Sequence, residues 1–197
     1  MNKIQMLIKA IYAGVMIGIG GVVYLSIENK MAGSFFFSFG LLTIVTQSFA
    51  LYTGKIGFVT KWKELLDMGI IIIGNFIGTF LTAFVCKMAD VKISSIELVN
   101  KKMNCDLVSI FFLSLLCGVM MYLAIDNFKK SNNLIFIIFP VMIFILSGFE
   151  HSIANMFYFH LAGFYSWKSF GYLLVMILGN GIGAKLFSLK PEEKKMK

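Results

Sequence analysis

The sequence predicts an all-α integral membrane protein with six transmembrane helices in an inverted three-plus-three repeat, the second and fifth helices being interrupted. Three observations carry this prediction. The 197 residues are 58% hydrophobic and only 14% charged, with mean hydropathy +0.84, whereas a soluble domain carries about a quarter charged residues. Six apolar segments follow one another along the chain, and two of them are too short to cross a bilayer. Short stretches of one half recur in the other. A single transmembrane domain is therefore expected over 1–197, with repeat halves at about 1–100 and 101–190 and a short basic tail at 190–197.

The first segment, Lys9 to Ile27, holds the 18-residue run AIYAGVMIGIGGVVYLSI. Its lysine-bearing start resembles a signal peptide, but the run is long and has no small-residue cleavage pattern, so a first transmembrane helix is expected. Its GIGG follows no strand and is no dinucleotide fingerprint. The second segment, Gly33 to Gln47, falls short of the ~20 residues a crossing helix needs and runs into QSFALYTGKIG. There Thr53 and Gly54 offer a turn, read either as a plain cytoplasmic turn or as a re-entrant loop facing the other half. The third and fourth segments are Met68 to Ala89 and Leu107 to Ile125.

The fifth segment, Leu134 to Phe149, is again short and leads into SGFEHSIANMF. An ionisable residue in a transmembrane segment costs roughly 2.5 to 3.5 kcal/mol on insertion scales, which makes it a functional-site candidate. Here Glu150, His151 and Asn155 lie within six residues, after a Ser147-Gly148 pair where a helix can break. In a helix resuming at Glu150, His151 and Asn155 share a face. Glu150 is expected to be a structural acceptor that gathers loop amides. His160 sits in an aromatic setting and receives no role. The sixth segment is Phe170 to Leu189.

The repeat is legible in the letters. GVM at Gly14 recurs at Gly118, YLSIEN at Tyr24 recurs as YLAIDN at Tyr122, and GNFIG at Gly74 recurs as GNGIG at Gly179, offsets of 104, 98 and 105 residues. Three spans per unit turn the second copy upside down, and short, broken spans at matching places in the two halves point to a midplane site. Both GN-x-I-G copies are GxxxG patterns that permit close helix approach.

All 18 basic residues are lysines, against 10 acidic residues, for a net charge of +8. They flank apolar runs and form no basic face, which argues against nucleic acid as a partner. With the N-terminus inside, interior segments hold eleven lysines (Lys3, Lys9, Lys55, Lys61, Lys63, Lys129, Lys130, Lys190, Lys194, Lys195, Lys197) and exterior loops six (Lys30, Lys87, Lys92, Lys101, Lys102, Lys168). This asymmetry predicts that both termini are cytoplasmic, and a signal-free chain suits a bacterial inner membrane. Cys86, Cys105 and Cys117 have no CxxC spacing and no nearby histidine, so no disulfide framework, metal or cofactor is expected.

These residues together resemble the formate/nitrite transporter family of pentameric anion channels, over nearly the whole chain. SGFEHSIANMF is that family's fifth-helix signature almost letter for letter, FSFGLLTIVTQSFALYTG is similar to its second helix and loop, LLCGVMMYLA to its fourth helix and LGNGIG to its sixth. The resemblance implies an aquaporin-like fold, a homopentamer in a lipid bilayer and a small monovalent anion, or its conjugate acid, as the partner. His151 takes the place of the central pore histidine, Asn155 of the asparagine after it, Thr53 of the loop threonine facing the histidine, and Lys102 of the lysine reaching the outer vestibule. Leu41, Leu51 and Phe144 fall on one apolar constriction, Phe37 and Tyr52 on the other.

The chain departs from the family pattern at Ala50, where an acidic or small polar residue is usual, at Gly118, where an asparagine is usual, and at Tyr52, where a phenylalanine is usual. It also lacks most of the N-terminal amphipathic segment and much of the connection between the fifth and sixth helices.

The function implied is passage of weak-acid anions of the formate, nitrite or hydrosulfide class. Apolar rings exclude a bare charge, so the species crossing is the neutral acid, with proton exchange at His151 or at vestibule water. Histidine suits this because its unperturbed pKa of ~6.5 allows both states near neutrality. The alternative is a neutral-solute pore of aquaporin type, against which stands the absence of NPA boxes at both breaks. A membrane enzyme using His151 and Glu150 is disfavoured by the scarcity of other ionisable groups.

Overall fold

The computed structural model describes residues 2–189, and the regular structure within them is helical. The expected tail, with Lys190, Lys194, Lys195 and Lys197, lies outside the described residues. Nine α-helices follow in order: α1 (Lys3–Ser26), α2 (Lys30–Thr46), α3 (Tyr52–Lys55), α4 (Trp62–Met88), α5 (Ile96–Met103), α6 (Leu107–Ser131), α7 (Ile135–Leu146), α8 (Ser152–Ala162) and α9 (Trp167–Ser188). A short 3-10 turn, Ile56–Phe58, extends α3. Helices α1, α4, α6 and α9 are long and apolar enough to cross a membrane, while α2 and α7 are apolar but shorter.

Each expected segment contains a helix, though the polar ends extend further than the apolar runs. α1 begins six residues before its apolar segment because the Asn2 side chain caps it, accepting from the Ile4 amide at 3.0 Å. α6 begins at an Asp106 cap that accepts from the Ser109 amide at 2.9 Å. Helix α5 had no counterpart in the apolar reading. It is short and amphipathic, buries Val99 and Met103, and is tied to α8 by Ser95 Oγ donating to the Tyr158 carbonyl.

α1 lies along α4 and α6 along α9, with α2 against α7 in the middle. Both long pairs approach through glycine. A Cβ at Gly78 would sit 2.1 Å from the Ile11 carbonyl oxygen, and one at Gly183 would sit 2.0 Å from that of Leu115. Only a missing side chain lets backbones come this near.

The two breaks share one backbone design. After α2, Ser48 turns left-handed (φ 55°) and the Phe49 amide reaches back to the Ile44 carbonyl; after α7, Gly148 does the same (φ 70°) and the Phe149 amide reaches the Phe144 carbonyl, both at 2.9 Å. These are left-handed helix caps. The turn expected at Thr53–Gly54 thus lies at Ser48 instead, and Thr53 and Gly54 are inside α3. Helix resumes at Ser152 and not at Glu150, which leaves His151 as the N-cap of α8.

Candidate functional site

Two asparagines hold the broken segments in place. Asn75 on α4, fully buried, donates through Nδ2 to the carbonyls of Ala10 (2.8 Å) and Ala50 (2.9 Å) and accepts through Oδ1 from the Tyr52 amide (3.0 Å). Asn180 on α9 donates to the carbonyls of Ser114 and Glu150 and accepts from the Ser152 amide, all at 2.8 Å. Backbone released from helix away from water must find protein partners, and each asparagine satisfies two such groups while its third bond ties them to a carbonyl inside α1 or α6. Sequence reading took GN-x-I-G as a glycine pattern and missed its asparagine. The available signal was a polar residue at the same place in both apolar copies.

His151 is 2% exposed and works at both ring nitrogens. Nδ1 accepts from the Ala154 amide at 3.1 Å, and Nε2 lies 2.9 Å from Thr53 Oγ1, itself 1% exposed. An amide N–H can only donate, so Nδ1 carries no proton and the neutral ring holds its hydrogen on Nε2. Nε2 then donates to Thr53, whose own hydroxyl hydrogen is left to serve another acceptor. The ring stacks on Phe144, with centroids 5.4 Å apart and planes at 23°.

Asn155 donates through Nδ2 to Glu150 Oε2 (2.8 Å) and to the His151 carbonyl (2.9 Å). Both partners are acceptors, which fixes the orientation of the amide. Its Oδ1 is buried with no donor in reach among the described residues. Glu150 Oε2 also accepts from Lys102 Nζ at 2.5 Å, in an ion pair whose side chains are 12% and 5% exposed. Glu150 therefore gathers the side chains of Lys102 and Asn155, and the gathering of loop amides falls to Asn75 and Asn180. Lys102 lines a cavity together with His151, and its charge is offset by Glu150.

Two cavities flank the His151–Thr53 pair. One, of about 250 Å³, is lined by His151, Asn155, Lys101, Lys102, Phe37 and Phe144 among others. The second, of about 330 Å³, is lined by Leu41, Leu51, Gly54, Lys55, Phe58 and Lys129 among others. The structure thus groups the apolar candidates differently from the sequence reading: Phe144 stands with Phe37, their rings edge to face at 6.1 Å, and apart from Leu41 and Leu51. Tyr52 lines neither cavity, because its hydroxyl donates to the Ile177 carbonyl at 2.9 Å under Gly181. His160 lies elsewhere, between Phe76 and Phe80, with Nδ1 3.1 Å from the Tyr165 hydroxyl.

Comparison with known proteins sets this geometry in context. The family described as "Formate/nitrite transporter" matches residues 1–190. The chain is 24% identical over 149 residues to the formate channel FocA of Haemophilus influenzae, covering 66% of this chain and 52% of that protein. It is 26% identical over 178 residues to FocA of Escherichia coli K12 (75% and 62%), and 26% identical to the formate-nitrite transporter of Plasmodium knowlesi (93% and 74%). The chain thus spans between about half and three quarters of these relatives' lengths. Among solved structures, a pentameric formate channel with formate bound superposes with a TM-score of 0.83 at 24% identity, covering 94% of each chain. An FNT family ion channel gives 0.85 at 21% identity, covering 94% of this chain and 88% of that one.

Proposed function

Because the chain belongs to the formate/nitrite transporter family, we propose that it is a channel for small monovalent weak-acid anions of the formate, nitrite or hydrosulfide class, passed as the neutral acid with proton exchange at His151. The fold of this reading is a single aquaporin-like domain of six spans in an inverted three-plus-three repeat. α2 with α3, and α7 with α8, are its interrupted second and fifth spans. The channel assembles as a homopentamer, as the pentameric relative does, in the bacterial inner membrane with both termini cytoplasmic, the orientation that the lysine asymmetry favours.

The observation that carries the reading is Asn155 Oδ1, a buried acceptor without a donor on an element that lines the His151 cavity. The charged oxygens of formate or nitrite bring only acceptors to such a group. Its conjugate acid brings the missing donor, and Thr53 supplies a hydroxyl hydrogen to the acid's own acceptor. A bare charge between Leu41 and Leu51 on one side and Phe37 and Phe144 on the other would lose its hydration with nothing in return.

The Ala154 amide sets the terms of proton exchange. Charging the ring means adding a proton at Nδ1, which displaces the N-cap bond. His151 therefore takes a proton from vestibule water only as an anion arrives to offset the charge. It then gives a proton up to that anion and returns to its capped, neutral form.

The test is flux of formate, nitrite, hydrosulfide, lactate and acetate into proteoliposomes at two external pH values. Wild-type flux should rise as external pH falls, and His151→Phe should abolish that flux while the oligomer stays intact. Water flux without acid flux, or an unchanged His151→Phe, would overturn the proposal.

A further inference from the structure

The two cavities differ in how their partly buried lysines are employed, the remaining lysine on the His151 cavity, Lys101, being exposed. In the His151 cavity, Lys102 is bonded to Glu150. In the other, Lys55 is half-buried at the end of α3, and among the described residues its ammonium makes no hydrogen bond or ion pair. The charges acting on it most strongly are Lys129 and Lys9, both cationic. Lys129 lies 3.5 Å above the Phe58 ring on the same wall. The one carboxylate among the described residues that line this cavity, Glu64, is held by the amides of Thr60 and Lys61 and by the Thr60 hydroxyl. Asp126, near Lys129, is bonded to Lys130 at 3.0 Å. A half-buried ammonium repelled by its neighbours and turned into an open cavity calls for a counter-anion.

The repeat gives this lysine a definite place. Ala50 and Tyr52 are clamped by Asn75 as Glu150 and Ser152 are by Asn180, an offset of 100 residues. At that offset Leu51 corresponds to His151 and Lys55 to Asn155. The position that holds the amide beside the histidine in one cavity holds, in the other, a cation without a partner among the described residues.

We propose that Lys55, assisted by Lys129, is a capture site for a small monovalent anion on the face opposite His151, so that the channel binds its substrate anion more tightly from that face. The inference rests on the channel reading for its substrate class. A cavity of about 330 Å³ with Leu41, Leu51 and Ile125 in its wall admits an ion of a few atoms and one charge.

Two measurements test it. Formate uptake is compared in right-side-out and inverted vesicles: Lys55→Met should raise KM about tenfold from the Lys55 face, leave KM from the other face within twofold, and be rescued by Lys55→Arg. Equal shifts on both faces, or none, would overturn the proposal. Binding is read independently of transport by acetylation of Lys55 in the intact detergent-solubilised protein, quantified by mass spectrometry. Protection by millimolar formate and not by phosphate supports the site. Protection by neither, or by phosphate alone, overturns it. This second arm stands even if wild-type vesicles carry no formate, the outcome that would sink the channel reading alone.

Discussion

Residues 47–55 and 147–155 share a backbone and differ in chemistry. Each stretch follows a short apolar helix, turns left-handed at its second residue, sends its fourth amide to a long helix of its own half, and is clamped by a buried asparagine. On that common frame the first stretch carries Ala50, Leu51, Thr53 and Lys55, and the second carries Glu150, His151, Ile153 and Asn155. The symmetric part consists of groups that must be satisfied wherever a helix opens inside a membrane. The asymmetric part includes the side chains that line the cavities, Leu51 and Lys55 on one and His151 and Asn155 on the other. Thr53 and His151 do not correspond to each other at the 100-residue offset, yet they lie 2.9 Å apart.

The sharpest way to break this comparison is to remove one clamp. Asn180→Leu orphans two buried backbone groups, the Glu150 carbonyl and the Ser152 amide, at about 1–3 kcal/mol each, and should leave little monodisperse protein on size exclusion. Asn75→Leu should do the same to a similar degree. If either variant kept its thermal midpoint, the clamp would not be what holds the loops.

The left-handed turns provide a smaller and signed test. Ser48 holds φ 55° with a side chain and Gly148 holds φ 70° without one. Ser48→Gly should therefore stabilise slightly and Gly148→Ser should destabilise by about 1 kcal/mol, read as opposite shifts of the thermal midpoint. Shifts of the same sign would show that the two turns are not equivalent.

The smallest effect distinguishes the caps of α1 and α6. Asn2 cannot titrate, whereas hydrogen bonds from Ser109 hold Asp106 below the usual carboxylate value of 3.8. Its folded pKa is depressed, so its contribution is complete above pH 3.8 and is lost as pH falls through the lower folded value. Asp106→Asn should flatten that part of an acid-stability profile, and an unchanged profile would show that the cap adds nothing.

Much of this was legible in the letters, and the parts that were not share a physical cause. The apolar segments foretold where helices form, four of them long and apolar enough to cross a membrane, because hydration of side chains is a local property. SGFEHSIANMF marked the site because a cluster of polar groups in an apolar run is costly unless used. Helix α5 escaped because eight amphipathic residues give no long apolar run. The helix ends were misjudged by a few residues where caps, not hydrophobicity, set them, as at Asn2 and His151.

By itself the sequence determined that the chain has six apolar segments, two of them broken and both followed by polar residues, and that its halves repeat. Only the tertiary structure decided that Asn75 and Asn180 carry the loops, that Ala154 fixes the His151 tautomer, that Lys102 is spent on Glu150 while Lys55 is left without a partner among the described residues, and that Phe144 stands with Phe37. Burial and periodicity are written along the chain, but a hydrogen bond between residues 98 apart, such as that from His151 to Thr53, exists only once packing brings the two helices together.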